Sequence, residues 1–203
     1  MDADLPSLAH TSALIRARRT VKPADMDAAR TLPRELLETL LENGTWAPNH
    51  GMTEPWRFDI FEGDARQNLA DQLQAIYREI TPEGEIQAEK LEKFGSNPRL
   101  APTIVACSMV RTPSAKVPER EEIEAVACAL QNIQLSATAA GLGAFWSSPP
   151  LLETTAMNRF LGLRPDDVCV GLLYLGYPRA SAAEPPRNRR PLAEKAHWHG
   201  APA

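Results

Sequence analysis

Residues 119–140, EREEIEAVACALQNIQLSATAA, carry apolar side chains at helical spacing over about six turns. Ile123, Val126, Ala127, Leu130, Ile133, Ala137 and Ala140 recur every three or four positions, which makes one continuous stripe. The stripe is rich in alanine, so a neighbouring element can approach closely. Glu119, Glu121, Glu122 and Glu124 sit in the first turns, where they favour the positive end of the helix dipole, and Gly141 ends the helix. A helix of this kind needs a core to lie on. With 43% hydrophobic residues in a chain of 203, one can be built within a single domain.

The strands of that core are legible. Residues 102–110 (PTIVACSMV) and 168–175 (VCVGLLYL) read as buried strands, and 57–62 (RFDIFE) alternates apolar and polar side chains. The patterns predict helices at 7–17, 33–43, 64–80 and 151–161, an exposed helical segment at 83–97, and a turn with a short strand at 141–147. The order α, α, β, α, α, β, α, β, α, β predicts an α+β fold, helices around a small sheet, over residues 1–203. From about residue 178 onward the chain is rich in Pro and Arg and too short to fold alone.

The net charge of −4 offers no global field for nucleic acid or an anionic membrane. No apolar run approaches the ~20 residues that span a bilayer, and MDADLPSL lacks the apolar core of a signal peptide. A cytoplasmic protein is expected, with no nucleic-acid or membrane partner. Cys107, Cys128 and Cys169 lie far apart, which fits reduced thiols and argues against a disulfide framework or zinc site. His197 and His199 alone do not make a metal site, and none is expected.

Basic residues nevertheless cluster. RARRTVK (16–22) holds four cations and no acid, and 179–195 holds five cations against two acids. Arg18, Arg19 and Thr20 at one chain turn can grip a phosphate through charge-assisted hydrogen bonds. They also suit an ordinary solvated helix C-terminus. Arg187, Arg189 and Arg190 form the second cluster, whose bland reading is a solvated tail. Two islands in an acidic chain suggest a small anion more than a polymer.

Between them lies WAPNHGMTEPWRF (46–58). Pro48 and Pro55 hold it extended, so Asn49 and His50 present polar atoms at fixed places. Trp46 and Trp56 can face a flat ligand or plug the core, and for Trp56 core packing is the simpler reading. Gly141, Gly143, Phe145 and Trp146 make either an ordinary turn or a flat surface open to close backbone approach. There is no GxGxxG after a strand, no GxxxxGK[ST], no HExxH and no GxSxG.

Four motifs occur in a telling order: RRT after the first helix, APNHxxxxPWRF after the second, GLGAFW after the long helix, and LGYP…RNRRPLAEKAHW in the tail. In this the chain resembles the flavin-dependent nitroreductases, specifically their small single-domain branch. The resemblance implies a central antiparallel or mixed sheet surrounded by helices, and an extended C-terminal arm over about 178–203. It further implies a domain-exchanged homodimer with FMN at the subunit interface. Arg18, Arg19, Thr20 and Arg189 would hold the FMN phosphate and ribityl chain. Trp46, Asn49 and His50 would sit at cofactor-contacting positions, and Phe145, Trp146 and Ser147 would line the flavin from the partner-side loop. The flavin would take electrons from NAD(P)H and pass them, by a ping-pong route, to a small acceptor such as a nitroaromatic, quinone or enone. No catalytic side chain is then required, which accounts for the missing motifs. The chain departs from this branch at Trp46 and Ser147, where basic residues are common, and at Glu54, where Gln is usual. Two further readings stay open: a dehalogenating or flavin-fragmenting enzyme on the same scaffold, for which the short, highly charged 81–100 is the candidate insert, or a redox-silent flavin-binding module, which the substitutions at Trp46 and Ser147 motivate.

Overall fold

The computed structural model describes residues 6–113, 116–182 and 188–200. Its elements run in the order expected: α1 (Leu8–Ala17), α2 (Arg34–Thr45), β1 (Trp56–Glu62), α3 (Ala65–Ile80), α4 (Ala88–Leu100), β2 (Thr103–Met109), α5 (Glu119–Ala139), β3 (Gly143–Ser147), α6 (Thr155–Leu161) and β4 (Val168–Gly176). The four strands form one antiparallel sheet in the order β1-β2-β4-β3.

Side chains of a strand alternate between the two sheet faces, and the core is divided accordingly. Val105, Cys107 and Met109 of β2 join Leu173 and Leu175 of β4 beneath α2 and α5. Ile104 and Ala106 join Leu172 and Tyr174 beneath α3 and α6. On β3, Trp146 packs with the first group and Phe145 with the second.

The long helix keeps Val126, Leu130, Ile133 and Ala137 in its buried stripe. Ala125 and Ala129 join it, whereas Ile123 and Ala127 are only partly covered and Ala140 is exposed. The segment expected at 83–97 as an exposed helix is α4, displaced toward the C-terminus and half-covered. Phe94 tilts against Tyr77 of α3 with ring centroids 5.2 Å apart, and α4 continues through a buried Pro98. The helix expected at 151–161 is shorter, because a 3-10 turn at Pro150–Glu153 precedes it and Thr154 caps α6 by accepting from the Met157 N–H.

One glutamate of the α5 first turns does not serve the helix dipole in solvent. Glu122 is 1% exposed, pairs with Arg111 and accepts from the Thr112 N–H. Arg111 continues into a buried knot, since its own N–H donates to Asp167 at 2.8 Å. Asp167 also takes the Arg164 N–H and guanidinium. Burial by itself raises the Asp167 carboxyl, but the Arg164 guanidinium and the backbone N–H groups of Arg164 and Arg111 outweigh it and hold it below its ordinary value. A lowered folded value means stability that is complete above the unfolded carboxylate range and is lost as pH falls through the folded value. Asp167→Asn is therefore expected to cost about 2–3 kcal/mol at pH 7. The gap to the parent should close as pH drops below about 4, read from denaturant midpoints at a series of pH values. A gap that persists unchanged to pH 2 would contradict the assignment.

Candidate functional site

α1 ends at Arg18, whose N–H still reaches the Leu14 carbonyl while its own backbone turns extended. The chain then runs beside β3: Thr20 bridges Ala144 and the Val21 N–H donates to the Ala144 carbonyl at 3.0 Å. This pairing brings the RRT and GAFW motifs together from some 125 positions apart. It also explains Gly143, because a Cβ there would stand 2.6 Å from the Val21 side chain.

Two adjoining cavities open along this junction. One, of about 580 Å³, is lined by Ile15, Arg16, Arg18, Arg19, Gln131 and Arg189. The other, of about 390 Å³, is lined by Arg18, Thr20, Gln131, Gln134, Trp146 and Ser148. They share Arg18 and Gln131. Four guanidiniums from both ends of the chain thus face one space, and no carboxylate lines either cavity. Such a space stabilises an anion, and arginine's fork matches phosphate oxygens. Trp146 forms a flat wall whose buried indole N–H has no acceptor among the described residues. The indole lies over Gly171 of β4, where a Cβ would come within 2.0 Å of Nε1. Gly171→Ala is expected to dislodge Trp146 at a cost of about 1–3 kcal/mol. Near-ultraviolet circular dichroism and thermal unfolding report both effects together; an unchanged tryptophan signal would refute the contact.

Of the ten residues singled out from sequence, Arg18, Arg19, Thr20, Trp146 and Arg189 line these cavities. Phe145 and Ser147 line a third cavity on the other side of β3. Trp46, Asn49 and His50 line none of the three. Trp46 is 79% exposed at the end of α2. Asn49 braces its own loop by accepting the Glu54 N–H at 3.0 Å, across Gly51, Met52 and Glu54, all of positive φ. His50 Nδ1 lies 2.5 Å from Glu121 at the start of α5. Trp56 packs with Phe58 on the α2–α5 side of the core. Of the tail cluster, Arg187 lies outside the described residues and Arg190 faces Glu194 at 3.8 Å.

Gln131, Gln134, Arg16 and Ser148 were not singled out. The two glutamines stand three positions apart on α5 and so share a face; polar residues beside an alanine-rich stripe were the signal. Burial pushes the Cys107 thiol well up and the Cys169 thiol to about 12, so neither supplies a thiolate near neutral pH.

The sequence model of the Nitroreductase family matches residues 15–177. The chain is 31% identical over 153 residues to the Escherichia coli K12 protein described as "Putative NAD(P)H nitroreductase YdjA", covering 73% of this chain and 79% of that one. A nitroreductase-like family protein from Bacillus cereus superposes with a TM-score of 0.80 at 27% identity, over 96% of this chain and 98% of the other. A Desulfovibrio desulfuricans protein solved in complex with FMN superposes with a TM-score of 0.70 at 25% identity, over 98% of this chain and all of its own. The chain belongs to the nitroreductase family.

Proposed function

We propose that this chain is an FMN-dependent NAD(P)H oxidoreductase acting as a cytoplasmic homodimer. It would be one domain with an arm over about 178–203, passing electrons by a ping-pong route to a small nitroaromatic, quinone or enone acceptor. The observation that carries the reading is the acid-free cavity that Arg18 and Arg189 share. The cofactor bound by the Desulfovibrio relative and the donor named for YdjA support it.

The residues present fit FMN. Arg16, Arg18, Arg19 and Arg189 balance a phosphate dianion. Thr20, Gln131 and Gln134 offer one hydroxyl and two amides to a polyol chain, and Trp146 offers a flat wall with an unpaired N–H. Bound FMN supplies the redox chemistry, accepting two electrons from a nicotinamide and releasing them to an acceptor. The protein's own part is to hold, orient and shield. Arg18 neutralises charge where the two cavities meet. His50, with Nδ1 engaged by Glu121, is left presenting Nε2.

The exposed apolar side chains support the dimer. Leu8 (82% exposed), Met52, Leu192 and Trp198 are large and uncovered, as is Trp46. Scattered along α1, the 46–56 loop and the arm, they would be buried if a second copy brought its own loop to this cavity. That would place Trp46, Asn49 and His50 at the flavin from across the two-fold axis. The visible spectrum of the purified protein, followed anaerobically with NADH and then NADPH, tests the reading. A yellow protein that bleaches and regains colour with a nitroaromatic or quinone is expected. A colourless protein that takes up no FMN would refute it.

A further inference from the structure

A third cavity, of about 450 Å³, lies on the opposite side of β3 from the arginines, beneath α3, α4 and the 3-10 turn at Pro150–Glu153. Its size is that of a small-molecule site. The deep part is apolar, made by the buried side chains of Leu73, Leu151 and Leu172 with Phe94 and Phe145 beside them. One polar group is set into that floor. Tyr174 is 3% exposed and lines this cavity, and its hydroxyl, open to the cavity rather than sealed, makes no hydrogen bond among the described residues. A hydroxyl set in an apolar wall and open to a cavity can pair with a polar atom that enters it. The mouth is cationic. Lys90 and Lys93 of α4 stand there exposed, and no Asp or Glu lines the cavity. Lys93 pairs with Glu89, while Lys90 has no ion pair among the described residues.

We propose that this cavity binds a small aromatic carboxylate bearing a second oxygen. The ring fills the apolar space, the far oxygen pairs with the Tyr174 hydroxyl, and the carboxylate stays at the lysine mouth, half in water. The site is separate from the flavin reading. β3 divides the two, with Phe145 and Ser147 facing this cavity and Trp146 facing the arginines.

The test uses the full-length protein, with and without saturating FMN, titrated with 3-(4-hydroxyphenyl)propionate by calorimetry. Saturable binding of one molecule per chain is expected. Tyr174→Phe should weaken it about fivefold, the worth of one neutral hydrogen bond. The same variant should leave binding of 3-phenylpropionate, which lacks the far oxygen, nearly unchanged. Lys90→Ala should weaken both acids several-fold. Arg18→Ala should alter neither, in the presence or absence of FMN, which separates this site from the arginine cavity whether or not FMN binds there. Three results would overturn the proposal. They are no saturable binding (as when a second copy covers the mouth), affinities indifferent to both Tyr174→Phe and Lys90→Ala, or binding that disappears with Arg18.

Discussion

Arg18→Ala is expected to weaken FMN binding by roughly two orders of magnitude, measured by quenching of flavin fluorescence on titration into apoprotein. The size follows from position. Arg18 lines both halves of the candidate flavin site and, among the described residues, is the only cation lining the second. Its loss therefore removes charge-assisted hydrogen bonds that Arg16, Arg19 and Arg189 replace only in the first. Loss of 2–3 kcal/mol of such contacts corresponds to about 30- to 150-fold in affinity. The fold should not share the loss, because the Arg18 guanidinium forms no ion pair among the described residues. Arg19 differs, since its guanidinium donates to the Arg18 carbonyl at 2.6 Å and so helps to shape the turn. Arg18→Lys should recover part of the affinity, because a point charge replaces a fork. Arg189→Ala should have the smaller effect, as that side chain lies on the exposed arm. An apoprotein that binds FMN equally well with and without Arg18 would remove the ground for the proposed function.

Glu122→Ala is the substitution expected to cost most stability, about 3–5 kcal/mol, or a fall in Tm on the order of 10 °C. The carboxylate is enclosed, and its removal leaves the Arg111 guanidinium, itself 21% exposed, with only the Val117 carbonyl among its described acceptors. An unpaired charge in that setting is worse than no charge at all. Glu122→Gln keeps the shape and one acceptor, and should lose about half as much. The knot ties the end of β2 to the start of α5 and to the turn before β4, so damage should appear as global unfolding. A Glu122→Ala protein within 1 kcal/mol of the parent would show that Arg111 finds other partners.

Much of the architecture was legible without coordinates. The stripe of Val126, Leu130, Ile133 and Ala137 could only be the buried face of a long helix, and two apolar runs of strand length could only lie against it. The order of the four motifs was enough to assign the family, since each marks a place where a helix or strand ends. Arg18, Thr20 and Trp146, which line the candidate site, could be named as candidates because they belong to those motifs.

What the linear chain could not decide is which side of the sheet each residue serves. Phe145, Trp146 and Ser147 are adjacent in sequence, yet the two-residue period of a strand sends the middle one to the arginines and its neighbours to a separate apolar cavity. That choice depends on how β3 pairs with β4 on one edge and with Thr20 on the other, a register set by contacts distant in sequence. The same holds for Glu122, which reads as one more acid at a helix start until Arg111 is folded against it. Helical and strand periods are local and survive in a string of letters, whereas the partner of a charge and the face of a strand exist only after the chain has closed on itself.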